Sequence, residues 1–377
     1  MLREMLSNHW RRLQEDLFPE MEEELGPLSD KHRSLVTVLE TVNVESFLPY
    51  VHGLTGRPLA ERRALARAFV AKAIFNLPTT RLLIDILKGD TRLRRLCGWE
   101  RRRDIPSEAT FSRAFADFAR QQLPERMHEA LIKATVYHRL AGHVARDSTA
   151  IEAREAPVEK PKIYKSRRKR GRPCLGEEVP VKEPRRIERQ QTMTLAAMRA
   201  DLPKVCDVGT KRNASGYQIS WIGYKLHIDT IDGDIPVSAI LTSASTHDSQ
   251  VALPLAVMTA ERVQNLYDLM DSAYDDPVIR AHSISLGHIP LIDTNPRRDA
   301  ALKASLARES KARRTINIPA IEDIRYNQRS SAERVNGNLK DNFGASHLRV
   351  RGDAKVMAHL MFGVLALTAL QIMRLVT

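Results

Sequence analysis

The chain has 377 residues, 43% of them hydrophobic and 28% charged, a globular composition with room for two or three domains. Lys and Arg number 59 against 46 Asp and Glu, a net charge of +13, which favours a polyanionic partner because neutralising phosphates releases counterions; nucleic acid is the leading candidate and an anionic membrane surface the weaker one. Cys97, Cys174 and Cys206 are too few and too scattered for a disulfide framework or a cysteine-based zinc site, and the charged first residues lack a signal-peptide core, so a reducing cytoplasm is expected.

Residues 1 to about 140 read as helical. Leu65, Phe69, Val70, Ala73 and Ile74 recur at helical spacing until Pro78 cuts the pattern, and Ser107 to Thr110 is a helix-entry signal ahead of Phe111. Arg92, Arg94, Arg95, Arg101, Arg102 and Arg103 crowd the segment between, either as a solvated loop and helix end or as a phosphate-contacting surface. From His143 the texture changes. His143 to Ile151 reads as a short strand running into a polar turn, with Asp147 at its end. A carboxylate there either binds a cation or caps the turn with Ser148 and Thr149.

Residues 152 to about 215 read as a basic, partly disordered insertion. Lys160 to Arg172 hold eight Lys and Arg and no acid, as a charged linker does. Within it Lys169-Arg170-Gly-Arg172-Pro resembles the core of an AT-hook, where arginines lie along a narrow A·T-rich minor groove.

Two further strands, Trp221 to Asp229 and Ile235 to Thr242, flank an Asp-Gly hairpin signal, and with the first they build three antiparallel strands. Trp221 reads as a cross-strand core contact, with base stacking the alternative. A helix over Ser249 to Gln264 capped by Asp248, a strand over Leu266 to Asp271, a helix over Asp276 to Leu286 and a strand over His288 to Ile292 follow. Asp271 stands at its strand's end; Asp275 and Asp276 read as acids of a helix start, and Asp268 has the wrong parity to share a face with Asp271. Val356 to Val376 is apolar, but its clean run, Leu360 to Leu370, is about half the roughly 20 residues a bilayer requires. A buried core helix is expected.

Tyr326, Arg329, Glu333 and Lys340 stand three, four and seven positions apart. At about 100° per residue the last three lie roughly 300°, 340° and 320° round from the first, so on one helix they share a stripe. Such a stripe is either a solvated face with i,i+4 ion pairs or a surface where an acid between cations meets a metal ion and a phosphate backbone.

This Tyr-x2-Arg-x3-Glu-x6-Lys spacing resembles the signature of one branch of the DDE transposases of bacterial insertion sequences. The resemblance implies an RNase H-like catalytic domain, whose order β-β-β-α-β-α-β-α the predicted elements follow, over residues 141–377, preceded by an all-α domain over 1–140. That first domain, similar to the family's around Phe69-Val-Ala-Lys-Ala-Ile and Thr110-Phe-Ser-Arg-Ala-Phe, is associated with recognising element ends and pairing subunits. The resemblance further implies that Asp147, Asp271 (in the family's Asp-x-x-Tyr arrangement, with Met270 in place of the usual small residue) and Glu333 hold two divalent ions. Hard oxygen ligands without cysteine or paired histidine favour Mg²⁺ or Mn²⁺, and two such ions suit an in-line phosphoryl displacement. Arg329 and Lys340 then clamp phosphates, with Tyr326 near the cleaved bond. His247-Asp248 also resembles a family pattern but is explained by helix capping. Only 62 positions separate Asp271 from Glu333, which leaves no room for the large β-rich insertion of relatives that hold a DNA hairpin.

The function expected is cleavage of DNA at insertion-sequence ends and transfer of the 3′-hydroxyl to target DNA, the alternatives being an RNase H-like nuclease without strand transfer or a non-catalytic DNA-binding derivative. The expected partners are double-stranded element ends and target, with a homodimer on DNA, no membrane association, and a cytoplasmic, nucleoid-associated location. Arg170 and Arg172 join Tyr326, Arg329 and Lys340 as expected DNA contacts.

Overall fold

Eight helices come first in the computed structural model, which describes residues 2–48, 61–137, 139–159, 183–212, 215–297, 299–316 and 321–376. They are α1 (Leu2–Arg12), α2 (Phe18–Leu25), α3 (Asp30–Val42), α4 (Arg62–Ile74), α5 (Thr80–Gly89), α6 (Thr91–Cys97), α7 (Glu108–Arg120) and α8 (Leu123–Thr135). Their ends follow sequence chemistry. Ser29, Thr79 and Asp90 accept backbone N–H groups at the starts of α3, α5 and α6, satisfying donors no helical carbonyl can reach. The break at Pro78 and the start at Ser107 are as expected.

The rest of the chain builds a sheet and its covering helices: β1 (Leu140–Glu152), α9 (Arg186–Gln190), α10 (Leu195–Asp201), β2 (Asp207–Arg212), β3 (Gln218–Ile231), β4 (Ile235–Ser243), α11 (Ala252–Ala260), β5 (Gln264–Met270), α12 (Pro277–Ser285), β6 (Ile289–Ile292), α13 (Ala300–Ile316), α14 (Ile321–Asn327), α15 (Ser330–Asn342) and α16 (Asp353–Met373). Six strands form one mixed sheet in the order β2-β3-β1-β5-β6, with β4 also on β3. β1, β3 and β4 are antiparallel, whereas β5 and β6 run parallel to β1. The β3–β4 hairpin turns at Asp232-Gly233-Asp234, where Gly233 (φ 84°) and Asp234 (φ 57°) take the left-handed conformations such a turn demands. Trp221 is buried opposite Gly209 of β2 and donates to the Tyr224 carbonyl, the cross-strand role expected of it.

Several boundaries depart from sequence expectation. β1 does not turn after Asp147 but runs to Glu152, because Ser148, Thr149 and Ala150 keep pairing with β3 even though parallel pairing with β5 stops at Ala145 and Leu269. Part of the basic insertion is ordered as α9, α10 and β2, while Lys160 to Arg172, with Arg170 and Arg172, lies outside the described residues. The helix expected over Ser249 to Gln264 is α11, seven residues shorter at its ends, with Gln264 already in β5.

α16 is apolar all round because it is covered all round: it packs on β4 and on α3, α4, α7 and α8, with 83% of its most apolar window buried. One cluster of buried side chains therefore runs from Leu6 through Phe69, Phe111 and Leu131 to Phe362 of α16 and Leu226 of β3, joining helices and sheet without a gap. Within the sheet a buried ion pair crosses β1 and β3: Arg146 donates to both oxygens of Asp229 at 2.8 and 2.7 Å, and Thr259 of α11 donates to Asp229 at 2.7 Å.

Candidate active site

Strand parity puts two carboxylates side by side. Ala145 of β1 lies in register with Leu269 of β5, and both bury against Ala332 of α15. Side chains two residues on point to the same face, so Asp147 and Asp271 emerge toward α15 just where the strands part. Arg146 and Met270, of opposite parity, face the other way, where the Arg146 guanidinium touches the Met270 sulfur at 3.5 Å. Asp268 is buried on that other face with Asn265 and His288, as its odd offset from Asp271 predicts.

α15 covers the carboxylates. Asn336 donates to Asp147 at 3.1 Å, and one turn earlier Glu333 is held by Arg329 at 2.8 Å. The expected single helix from Tyr326 to Lys340 is interrupted at Gln328-Arg329, where successive i→i+3 bonds tighten the chain between α14 and α15. Arg329 keeps right-handed helical angles through the break, so its guanidinium still stacks 5.8 Å from the Tyr326 ring centre. Tyr326 in turn donates to Asp293, just past β6, at 2.7 Å. Lys340, two turns along, lies within the fields of Lys211, Glu152 and Asp147.

Burial strips water from Asp147 and pushes its pKa up to about 6, with Asp271 and Asp248 pushing further and Arg329 opposing. Burial likewise raises Asp271, and Asp248 adds to it. Asp147 thus feels the negative charge of Asp271, and Asp271 that of Asp248 and Asp293, so both strand acids sit in a field that favours a cation. The Oδ1 of Asn336 and the Nε of Arg329 are buried beside them without a hydrogen-bond partner. This donor set, hard oxygens with an unsatisfied amide, fits a divalent cation. Asp147 and Asp271 are brought together, but the Glu333 carboxylate is turned to Arg329, and among the described residues no three acidic, histidine or cysteine side chains converge on one point.

Sequence reasoning noted Asp248 in a family-like His-Asp pair but assigned it to helix capping. It was expected to cap α11, yet His247 caps the short turn instead, accepting from the Ser249 N–H. Asp248 takes hydrogen bonds from Ser148 at 2.9 Å and Lys225 at 3.0 Å. Burial pushes its pKa up, but His227 and Lys225 overcome this and hold it below the usual carboxylate range. Asp293 and Asn336 were missed. Asp293 carried the same signal as Asp271, an acid just past a strand; Asn336 lies one turn from Glu333.

Two family models match the chain: one described as Transposase DDE domain over residues 192–369, the other as Transposase domain (DUF772) over residues 21–117. The first contains Asp248, Asp271, Glu333 and Lys340; Asp147 falls between the two matched segments, so its case rests on geometry. No curated protein and no solved structure matches. A DDE domain implies an RNase H-like fold, with which the mixed sheet is consistent, and enzymes of this kind act on DNA and generally use divalent metal ions. With both its helical and its sheet-bearing parts matched, the chain belongs to the DDE transposases of insertion-sequence type, enzymes that cut DNA and transfer the cut strand.

Proposed function

We propose that Asp147, Asp271 and Glu333 are the catalytic triad, that they bind two Mg²⁺ or Mn²⁺ ions, and that the chain belongs to the branch of the family with the Tyr-Arg-Glu-Lys signature. In this reading β1, β3, β4, α11, β5, α12 and β6 form the RNase H-like core of a catalytic domain over 141–377, with 152–215 as its insertion, and residues 1–140 recognise element ends and pair subunits, so that a homodimer assembles on DNA. The observation that carries it is the shared face of Asp147 and Asp271, covered by the helix that bears Glu333.

When bound, the ions activate the attacking water or 3′-hydroxyl and stabilise the leaving oxygen. The chain's own residues do the rest. Arg329, released from Glu333, offers a planar fork to two phosphate oxygens, while Lys340 supplies a point charge farther along the strand. Tyr326, fixed by Asp293, stands beside the guanidinium and orients the backbone at the bond being cut. Asp248 gives up two of its lone-pair sites to Ser148 and Lys225, which positions the loop after β4 against the turn that carries Asp271. Arg170 and Arg172 contact the minor groove from the insertion.

The test incubates purified protein with labelled element ends, supercoiled target and Mg²⁺. Cleaved ends joined to target support strand transfer; cleavage with no joined product would reduce the activity to that of a nuclease. Asp271→Asn and Asp147→Asn are each expected to abolish cleavage while leaving DNA binding intact, and normal cleavage by either variant would remove that residue from the triad.

A further inference from the structure

A second basic site lies away from the carboxylates, in a cavity of about 700 Å³ between the helical region and the loop before α16. Its floor is Lys72, on the buried helix α4. Only 8% of this residue is exposed, and its ammonium makes no hydrogen bond or ion pair with any described residue. Burial alone draws its pKa down to about 8. An ammonium held in a folded interior without a counter-ion is costly, yet it sits where the cavity walls supply more positive charge: Arg154 just past β1, Arg349 and Arg351 before α16, and Lys355 on its first turn. The start of α5 at Thr79 and Thr80 also opens into the cavity, adding the positive end of a ten-residue helix. Glu108 is the one acid among the described lining residues, and Arg81 pairs with it at 3.4 Å.

We propose that this cavity is a phosphodiester site, in which Lys72 receives a backbone phosphate of double-stranded DNA and Arg349 and Arg351 hold its neighbours. Duplex DNA rather than a small anion is favoured by the extent of the charge, which spreads beyond what one phosphate fills. It is favoured also by continuity with the active site. Arg154 stands seven residues beyond Asp147, about 23 Å along an extended strand, and Lys340 lies between them, within the fields of both Asp147 and Glu152. A strand cut at Asp147 would reach Arg154, on the wall of the cavity that holds Lys72, some six or seven base pairs away, at about 3.4 Å per step. Only this direction of the track rests on the proposed catalytic triad; the cavity stands without it.

The experiment measures fluorescence anisotropy of a labelled 30-base-pair duplex of arbitrary sequence across a range of NaCl, without divalent metal, for the full chain and its variants. Lys72→Met is expected to weaken binding about tenfold and to reduce the slope of log K against log salt by about 0.9, one phosphate's worth, while its melting temperature stays level or rises as an unpaired buried charge is removed. Arg349→Gln with Arg351→Gln, both exposed, should reduce the slope by up to about 1.8. Unchanged slopes in both variants overturn the proposal, and so does a Lys72→Met loss accompanied by a lower melting temperature while the arginine variant binds normally. Inorganic phosphate that stabilises the wild type but not Lys72→Met, with duplex binding equal in the two, would make the cavity a small-anion site and overturn the DNA assignment. Asp271→Asn separates the two readings: it should bind with the wild-type slope, and cleavage by it would sink the triad without touching Lys72.

Discussion

Asp229→Asn removes the counter-charge of a guanidinium that cannot reach water. Arg146 is 2% exposed and Asp229 fully buried, and the pair is joined by two hydrogen bonds at 2.8 and 2.7 Å in register across β1 and β3. Burial pulls the Arg146 pKa down, and Asp229 more than reverses this. The asparagine keeps the shape and one acceptor but leaves the cation alone, and breaking one side of a buried pair costs roughly 3–5 kcal/mol. Thr259 adds to the loss, since its hydroxyl donates to the same carboxylate at 2.7 Å. At about 2 °C per kcal/mol in a chain of this size, the melting temperature should fall by roughly 6–10 °C. The double variant Arg146→Met, Asp229→Leu removes both charges and should recover most of that loss, because two apolar side chains need no solvation. Scanning calorimetry of the three proteins decides it. If Asp229→Asn melts within about 2 °C of wild type, or the double variant melts lower than the single, then the unpaired charge is not what the pair's loss costs.

Three further outcomes follow from individual side chains. Buried His128 donates from Nε2 to the Pro236 carbonyl (3.0 Å), with the Thr368 hydroxyl 3.1 Å from the same nitrogen, and burial lowers its pKa to about 3; the folded state therefore refuses a proton the unfolded chain takes up, so stability is full above pH 6.5 and about 2 kcal/mol is lost by pH 5, a loss that His128→Gln should abolish in urea titrations at the two pH values. Glu125 shows the opposite sign: burial raises its pKa to about 7, with one oxygen buried and unpartnered, so its stabilisation is present below pH 4.5 and lost as pH rises through 7, and Glu125→Gln should be more stable than wild type at pH 8 by about 3 kcal/mol and no more stable at pH 4. Asp248→Asn, which weakens the link from Ser148 and Lys225 to the turn at Asp271, should slow cleavage about 10–100-fold without changing the salt dependence of DNA binding; wild-type cleavage would leave Asp248 a purely structural residue.

Much of the site was legible because it depends on periods. Strand parity set Asp271 apart from Asp268, helical angle gave the stripe from Tyr326 to Lys340, and both periods survive local disagreement; Asp147 stood out only at the end of a strand, with its role left to the family resemblance. The helix breaks at Gln328-Arg329, yet Arg329 stays helical in its angles and the Arg329–Tyr326 contact persists. Illegible were features set by distant partners. Ser148 and Thr149 read as a turn, but pairing with β3 as far as Gly223 extends β1 past them, a tertiary override of a polar local pattern. Asp248 had the chemistry of a cap, and only the fold brings Lys225 and Ser148 to it. The basic cavity was invisible for the same reason: Lys72 comes from one helix and Arg349 and Arg351 from a loop nearly 280 positions later.

The ion pair between Arg329 and Glu333 bears on how such a site is completed. Glu333 is 54% exposed and pairs i,i+4 with Arg329 on the first turn of α15, so the bond between them is worth only about 0.3–0.5 kcal/mol. Asp147 and Asp271 are in a different position, buried enough that their proton affinity rises and not free to relax into solvent. The stored electrostatic cost therefore sits on the two strand acids, while the helix acid is held by a contact that is cheap to open. Positive charge arriving between the strand acids would relieve them and attract Glu333, and the same motion would leave Arg329 unpaired, free for the phosphate contact proposed for it. Arg329→Gln separates this coupling from simple charge loss: Glu333 becomes free in advance, so cleavage should fall through weaker phosphate contact while the concentration of Mg²⁺ needed for half-maximal rate stays level or drops. A higher Mg²⁺ requirement in that variant would mean that Arg329 organises Glu333 for the metal rather than restraining it.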